Sequence, residues 1–268
     1  LSDRFRHAAT AHQMRSHFGL HDRNDFFIAT YSWGEDDGSI YRKDIVNDSD
    51  LFVDISSMSD GDAAGRIRRD RMDILVGFET EAYSGYEAEI STLIERFSPD
   101  MLVGSVHHLY DILFDGSPQF YQQAVAKAGS IEQLYCDYFD AQLALINRFE
   151  PAVVGHFDLI RIHDPEYRQR WQVPQIRDRA LRNLERIGEL DLILDLNVRA
   201  LAKGAAEPYI SEPWLNYAIS KDIAVVPGDD SHGVTDVGKN LAAGVSHFIA
   251  LGGDTHWRKP ERGRHRTR

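Results

Sequence analysis

Six short apolar runs set the tightest limit on what this chain can fold into: "DFFIAT", "DILVGFE", "DMLVGSVHH", "PAVVGHFD", "DLILDLN" and "DIAVVPGDD". Their apolar stretches are rich in Val, Ile, Leu and Phe and do not alternate with polar residues. That is the pattern of strands buried on both faces. Longer amphipathic segments separate them. "GYEAEISTLIERF" predicts one helix, and "SPQFYQQAVAKAGSIEQLYCDYFDAQLALINRF" is long enough for two. In "VPQIRDRALRNLERIGEL", Ile176, Ala180, Leu184 and Ile187 fall three or four apart, as one helix face requires. "SEPWLNYAISKD" opens on Ser211 as N-cap with Pro213 in the first turn. "GKNLAAGVSHFIALGG" ends in two glycines that suit a helix stop. Strand and helix in alternation predict an α/β fold with a parallel sheet, either open or closed into a barrel. No strand is followed by G-x-G-x-x-G or a P-loop, which argues against a nucleotide-binding version.

The 268 residues, 43% of them hydrophobic, suffice for one large core, and no Pro- or Ser-rich linker interrupts them. One domain is expected over 1–257, followed by a basic, disordered tail at 258–268 that holds six Arg or Lys. No apolar run approaches the roughly 20 residues of a membrane span, and the first residues carry no signal-peptide pattern. The single cysteine, Cys136, excludes an internal disulfide and fits a reducing compartment such as the cytoplasm. A formal charge of −12 argues against a general nucleic-acid surface. The oligomeric state is not legible.

Polar clusters follow directly on the buried runs. "ILVGFETE" delivers Glu79 and Glu81, "MLVGSVHH" His107 and His108, "AVVGHFD" His156 and Asp158, and "AVVPGDDSH" Asp229, Asp230 and His232. In a barrel of parallel strands the C-terminal ends open on one face, where catalytic groups collect. Imidazole with carboxylate suits Zn, Mn or Fe, and a carboxylate can bridge two ions. No cysteine stands at these positions, so a thiolate zinc site is excluded. Each cluster also has an ordinary reading: a hydrogen-bonded core histidine for His156, a helix cap for Glu79, turn residues for Asp229 and Asp230. Their common address favours a metal site. Glu79 sits nearest its strand end and Glu81 is the weaker candidate. His108 is expected to point away from His107 on extended backbone.

These clusters resemble the PHP (polymerase and histidinol phosphatase) family, in particular its monofunctional histidinol-phosphate phosphatases of fungal and bacterial type. The residues that carry the resemblance are "GFETE", "GSVHH", "VVGHFDLIR", "NVRALAKGAAEPY" and "GDDSHGVTDVG". It implies a distorted TIM-like (β/α) barrel with two or three divalent ions. The activity implied is hydrolysis of L-histidinol phosphate to L-histidinol and phosphate, late in histidine synthesis. Carried over by position, the metal ligands are Glu79, His107, His156, Asp230 and His232. Asp230 and His232 are also the catalytic candidates, and Arg161 is the candidate for a bidentate grip on the phosphate.

The chain departs from the family pattern near its start. The family opens on an H-x-H strand that is absent here. "DRFRHAA" resembles the segment after it, which places His7 among the metal ligands and the N-terminal strand as missing or diverged. A T-E-H at the end of the next strand is replaced by Thr30, Tyr31 and Ser32, and an Arg in "NVRALAKG" by Ala202. Two other readings stay open: a truncated or degenerate family member that keeps the fold without turnover, and another barrel metallohydrolase. Against the latter, no Lys stands at a strand end.

Overall fold

In a computed structural model, the structure describes residues 28–32, 36, 38–70, 75–232, 236–261 and 263. Where a single domain over 1–257 was expected, the chain resolves into two compact units, Leu1–Ile74 and Leu75–Arg268.

In the first unit, β1 (Ala29–Ser32) and β2 (Leu51–Asp54) pair in parallel, with Ala29 opposite Leu51 and Ser32 opposite Asp54. Helix α1 (Ile40–Asn47) connects them and α2 (Asp60–Arg69) follows. Ser39 caps α1, its side chain accepting from the Arg42 amide. The Arg42 guanidinium is buried at the strand ends, where it donates to Ser32 Oγ at 2.8 Å and Asp54 Oδ2 at 2.7 Å. A buried charge needs such partners. The core here is small: Tyr31, Val53 and Ile55, with Leu51, Met58 and Ile67 packed against them. The strand expected over "DFFIAT" begins only at Ala29, and its first residues lie outside those described.

The second unit is built on a five-stranded parallel sheet. Its strands are β3 (Gly77–Glu79), β4 (Met101–Gly104), β7 (Val153–Val154), β8 (Ile193–Asn197) and β9 (Val225–Gly228). A small antiparallel hairpin, β5 (His108–Leu109) with β6 (Ile112–Leu113), stands apart from it. The helices are α3 (Tyr86–Phe97), α4 (Pro118–Ala128), α5 (Ile131–Phe149), α6 (Pro174–Glu189), α7 (Glu212–Ser220) and α8 (Leu241–Ala250), with single turns at Leu159–Arg161, Tyr167–Arg170 and Arg199–Ala202.

Strand order in this sheet is chain order. Crossovers between parallel strands are right-handed. When each also steps to the next neighbour in the same direction, the helices fall on one side, as in a (β/α) barrel and unlike a doubly wound sheet, whose order reverses. The fold is α/β of this TIM-like kind. Among the described residues β3 and β9 do not pair, so the sheet is not closed.

Local chemistry places the helices where their spacing predicts them. Ser117 caps α4 by accepting from the Phe120 amide, with Pro118 behind it. Gly129, at φ 91°, ends the helix, and Ser130 caps α5 by accepting from Gln133. That Gly-Ser pair is why one long apolar pattern becomes two helices. Ile176, Ala180, Leu184 and Ile187 are all fully buried on α6. Ser211 precedes α7 as expected but makes no side-chain cap; its amide donates to Asp158 Oδ2 at 2.8 Å instead.

The core between α5, α6 and the sheet is aromatic. Phe139 packs against Tyr138, Phe157 and Trp171. A buried polar thread runs through it. Asn183 Nδ2 donates to the Phe139 carbonyl (2.7 Å) and to Gln142 Oε1 (3.0 Å), and Gln142 Nε2 donates to the Phe157 carbonyl (2.9 Å). Tyr138 OH donates to the His156 and Phe157 carbonyls. Two helices thereby fix the loop that leaves β7. Phe139→Ala empties the centre of this layer. It should cost about 3–5 kcal/mol in urea unfolding, and a loss below about 1 kcal/mol would show that the aromatic layer does not hold the second unit together.

Candidate metal centre

Parallel pairing sends the C-terminal ends of β3, β4 and β7 to one edge of the sheet. Glu79 is the last residue of β3; Ser105 to His107 follow β4, and Gly155 and His156 follow β7. One ligand atom from each of Glu79, His107 and His156 lies within 4.8 Å of the others. Glu79 Oε1 is the hub. His156 Nε2 is 3.0 Å away, His107 Nε2 is 3.9 Å away, and Ser105 Oγ donates to the same oxygen. The two rings meet edge to face, with centroids 4.6 Å apart.

The local sequence makes this approach possible. A Cβ on Gly155 would collide with Ser105 Oγ and come within 3.5 Å of Glu79 Oε1. Ser105 is held by its own amide, which donates to Thr80 Oγ1 at 3.2 Å, and Thr80 donates back to the Val103 carbonyl at 2.8 Å. His156 adopts φ 21°, in the left-handed region that side chains other than glycine rarely enter.

Burial works to raise the Glu79 carboxyl, but the hydrogen bond and charge of His156, with Ser105 and His107, outweigh it and bring it down to about 2. Burial pushes His107 down, and Glu81, with Glu79 beyond it, more than reverses this. Two imidazoles and an ionised carboxylate within bonding reach of one point are a donor set for Zn, Mn or Fe, so the residues fit a metal.

The other expected residues are arranged differently. Asp230, at φ 48°, and His232 lie outside the three-residue group. His232 is exposed, with Nδ1 2.8 Å from the Asp230 carbonyl oxygen. The Asp229 carboxylate accepts from the Gly238 amide at 2.5 Å, a contact between residues nine apart in the chain. Arg161 is buried between the rings of Tyr167 and Tyr209. Its Nε donates to Asp158 Oδ1, and its Nη2 to the Glu207 and Pro208 carbonyls. Nε and Nη2 of Arg161 are thus already engaged within the fold. His7 lies outside the described residues.

Sequence reasoning missed Asp195. It sits in the middle of β8 with Gly228 beneath it, where a Cβ would collide with its carboxylate. Burial first, and the charge of Asp230 second, push its carboxyl up to about 6 against hydrogen bonds from Asn197 and the His156 backbone. Asn197 Nδ2 reaches both Asp195 Oδ2 (2.9 Å) and Asp230 Oδ2 (3.4 Å). Asp195 thus links His156 to Asp230. The signal was an aspartate inside the apolar run "DLILDLN", where an ionised group needs a partner.

A pH dependence follows. Below the ordinary 3.8 Asp195 is protonated folded or unfolded; between 3.8 and about 6 only the folded state holds the proton. Stability through this group is therefore fullest below that window and falls as pH rises across it. Asp195→Asn should flatten that part of the slope in unfolding of the metal-free protein, and an unchanged slope would return Asp195 to an ordinary carboxylate.

Residues 50–199, more than half of the chain, match the family model described as PHP domain. Residues 1–94 match a second, described as glycosyl transferase family 41. The probable histidinol-phosphatase of Schizosaccharomyces pombe is 33% identical over 193 residues, covering 68% of this chain and 61% of that protein. The histidinol-phosphatase of Saccharomyces cerevisiae is 28% identical over 197 residues, covering 63% and 58%. The chain thus spans about three fifths of the length of these yeast relatives. The UDP-N-acetylglucosamine–peptide N-acetylglucosaminyltransferase of Caenorhabditis elegans is 35% identical over 77 residues, covering 28% of this chain and 7% of that protein. The division at Ile74 and Leu75 falls where the two family matches overlap. His107 and His156 lie in the first match alone and Glu79 in both; with its extent and the strand-end cluster together, the chain belongs to the PHP domain family.

Proposed function

We propose that the chain is a metal-dependent phosphomonoesterase that hydrolyses L-histidinol phosphate to L-histidinol and phosphate, in the cytoplasm. The observation that carries this reading is the meeting of Glu79, His107 and His156 at one mouth of the sheet, in a chain similar to two yeast proteins named as histidinol-phosphatases. The chemistry supplied by bound divalent ions is a lowered pKa for water and neutralisation of phosphoryl oxygens.

Each residue then has a role. Glu79, ionised and shared by two imidazoles, would hold a divalent ion together with them. His107 and His156 supply neutral nitrogen. Asn197 reaches Asp230 as well as Asp195, and in this reading Asp230 and His232 would serve as further ligands or move a proton at the leaving oxygen. Arg161, oriented by Asp158 and two tyrosine rings, offers one guanidinium nitrogen to the phosphate. The proposed set leaves out His7, which precedes the PHP match and falls in the stretch matched by the other family.

The alternative is a fold that binds an ion without turnover. It is favoured by Asp230 and His232 standing outside the three-residue group. Metal analysis of the purified chain with phosphate release from L-histidinol phosphate separates the two. His156→Ala should remove bound metal and hydrolysis together, and Asp230→Asn should abolish hydrolysis. Metal content unchanged in His156→Ala would dispose of the centre; metal bound with no phosphate released by the unmutated chain would favour the alternative.

A further inference from the structure

Glu81 lies two residues beyond Glu79, and on extended backbone such residues share a face. Its carboxylate reaches two histidines at once. Oε1 is 2.9 Å from His107 Nδ1, an ion pair by distance rather than an aligned hydrogen bond, and Oε2 is 3.0 Å from His108 Nδ1. Consecutive side chains on an extended strand diverge, and His108 was expected to point away. Instead the chain folds back at this point: the Phe114 amide donates to the His107 carbonyl (3.1 Å), closing the β5–β6 hairpin. Tyr83 packs edge-on against the His108 ring, 6.0 Å between centroids. The two imidazoles therefore bracket one carboxylate from the outer side of the cluster.

We propose that Glu81 is a positioning residue that acts on the metal through His107. A carboxylate 2.9 Å from Nδ1 favours, through its charge, the proton on that nitrogen in the neutral ring, which leaves the lone pair on Nε2. In His107 the Nε2 is the nitrogen that faces Glu79, at 3.9 Å. Glu81 thus selects the tautomer and the ring orientation that a ligand needs, while the same carboxylate is anchored from its other side by His108. This rests on the metal centre proposed above. A carboxylate serving only as a half-exposed ion pair at the rim would stabilise the hairpin slightly and leave metal affinity alone.

The test is Zn²⁺ affinity of the full chain by competition with a chromogenic chelator, alongside the ring tautomer of His107 in the metal-free protein by nitrogen-15 NMR. Glu81→Ala should weaken Zn²⁺ about 10- to 100-fold and lose the preference for the proton on Nδ1. Glu81→Gln, of the same size and with one acceptor oxygen, should fall between, and it carries the test if the alanine variant fails to fold. Affinity within about twofold of the unmutated chain in the folded variants, with an unchanged tautomer, overturns the role of Glu81 but leaves the centre standing. No Zn²⁺ bound by the unmutated chain removes the centre itself.

Discussion

One carboxylate oxygen, Glu79 Oε1, receives Ser105 and His156 and faces His107. Those groups come from the ends of three adjacent parallel strands. Their meeting follows from strand order, which lays β3, β4 and β7 side by side, and from Gly155, which lets the third loop close onto the first. A carboxylate at that junction without its imidazoles would be a partly desolvated charge lacking compensation. The imidazoles without the carboxylate would have no reason to converge. The polar thread from Asn183 through Gln142 to the Phe157 carbonyl transmits the packing of α5 and α6 to this point. The aromatic core and the candidate centre are therefore one mechanical unit.

Much of this was legible in the sequence because the second unit obeys local rules. Non-alternating apolar runs gave the parallel sheet, Ser-capped and Gly-terminated segments gave the helices, and the polar residues just past each run gave Glu79, His107 and His156. What was not legible depends on contacts between distant segments. Arg161 reads as a free anion grip until Tyr167, Tyr209 and two carbonyls are seen to enclose it. Asp195 hides within a strand because its partners, Asn197, Asp230 and the His156 backbone, only gather on folding. Ser211 carries the residue type of a cap, but Asp158 claims its amide while its own hydroxyl caps nothing.

The division into two units has the same character. Nothing in composition marks a linker near residue 74, and the first unit continues the alternation of strand and helix that the second displays. Its parallel β1–β2 pair with a connecting helix is a generic piece of α/β architecture, which different families share. The apolar pattern reports that a segment is a buried parallel strand; it does not report to which sheet the strand belongs. The folded chain separates what hydropathy merges, dividing at Ile74 and Leu75 within the stretch that both family matches share.

The backbone of His156 has a consequence of its own. A left-handed conformation at a residue with a side chain costs on the order of 1 kcal/mol or more, and glycine would adopt it freely. On backbone grounds alone glycine would be favoured here, but it would leave the partly desolvated Glu79 carboxylate without the imidazole that pairs with it. The imidazole at this position therefore sets a local backbone cost against the pairing its ring makes with Glu79, and the two cannot be exchanged one for the other by a smaller side chain.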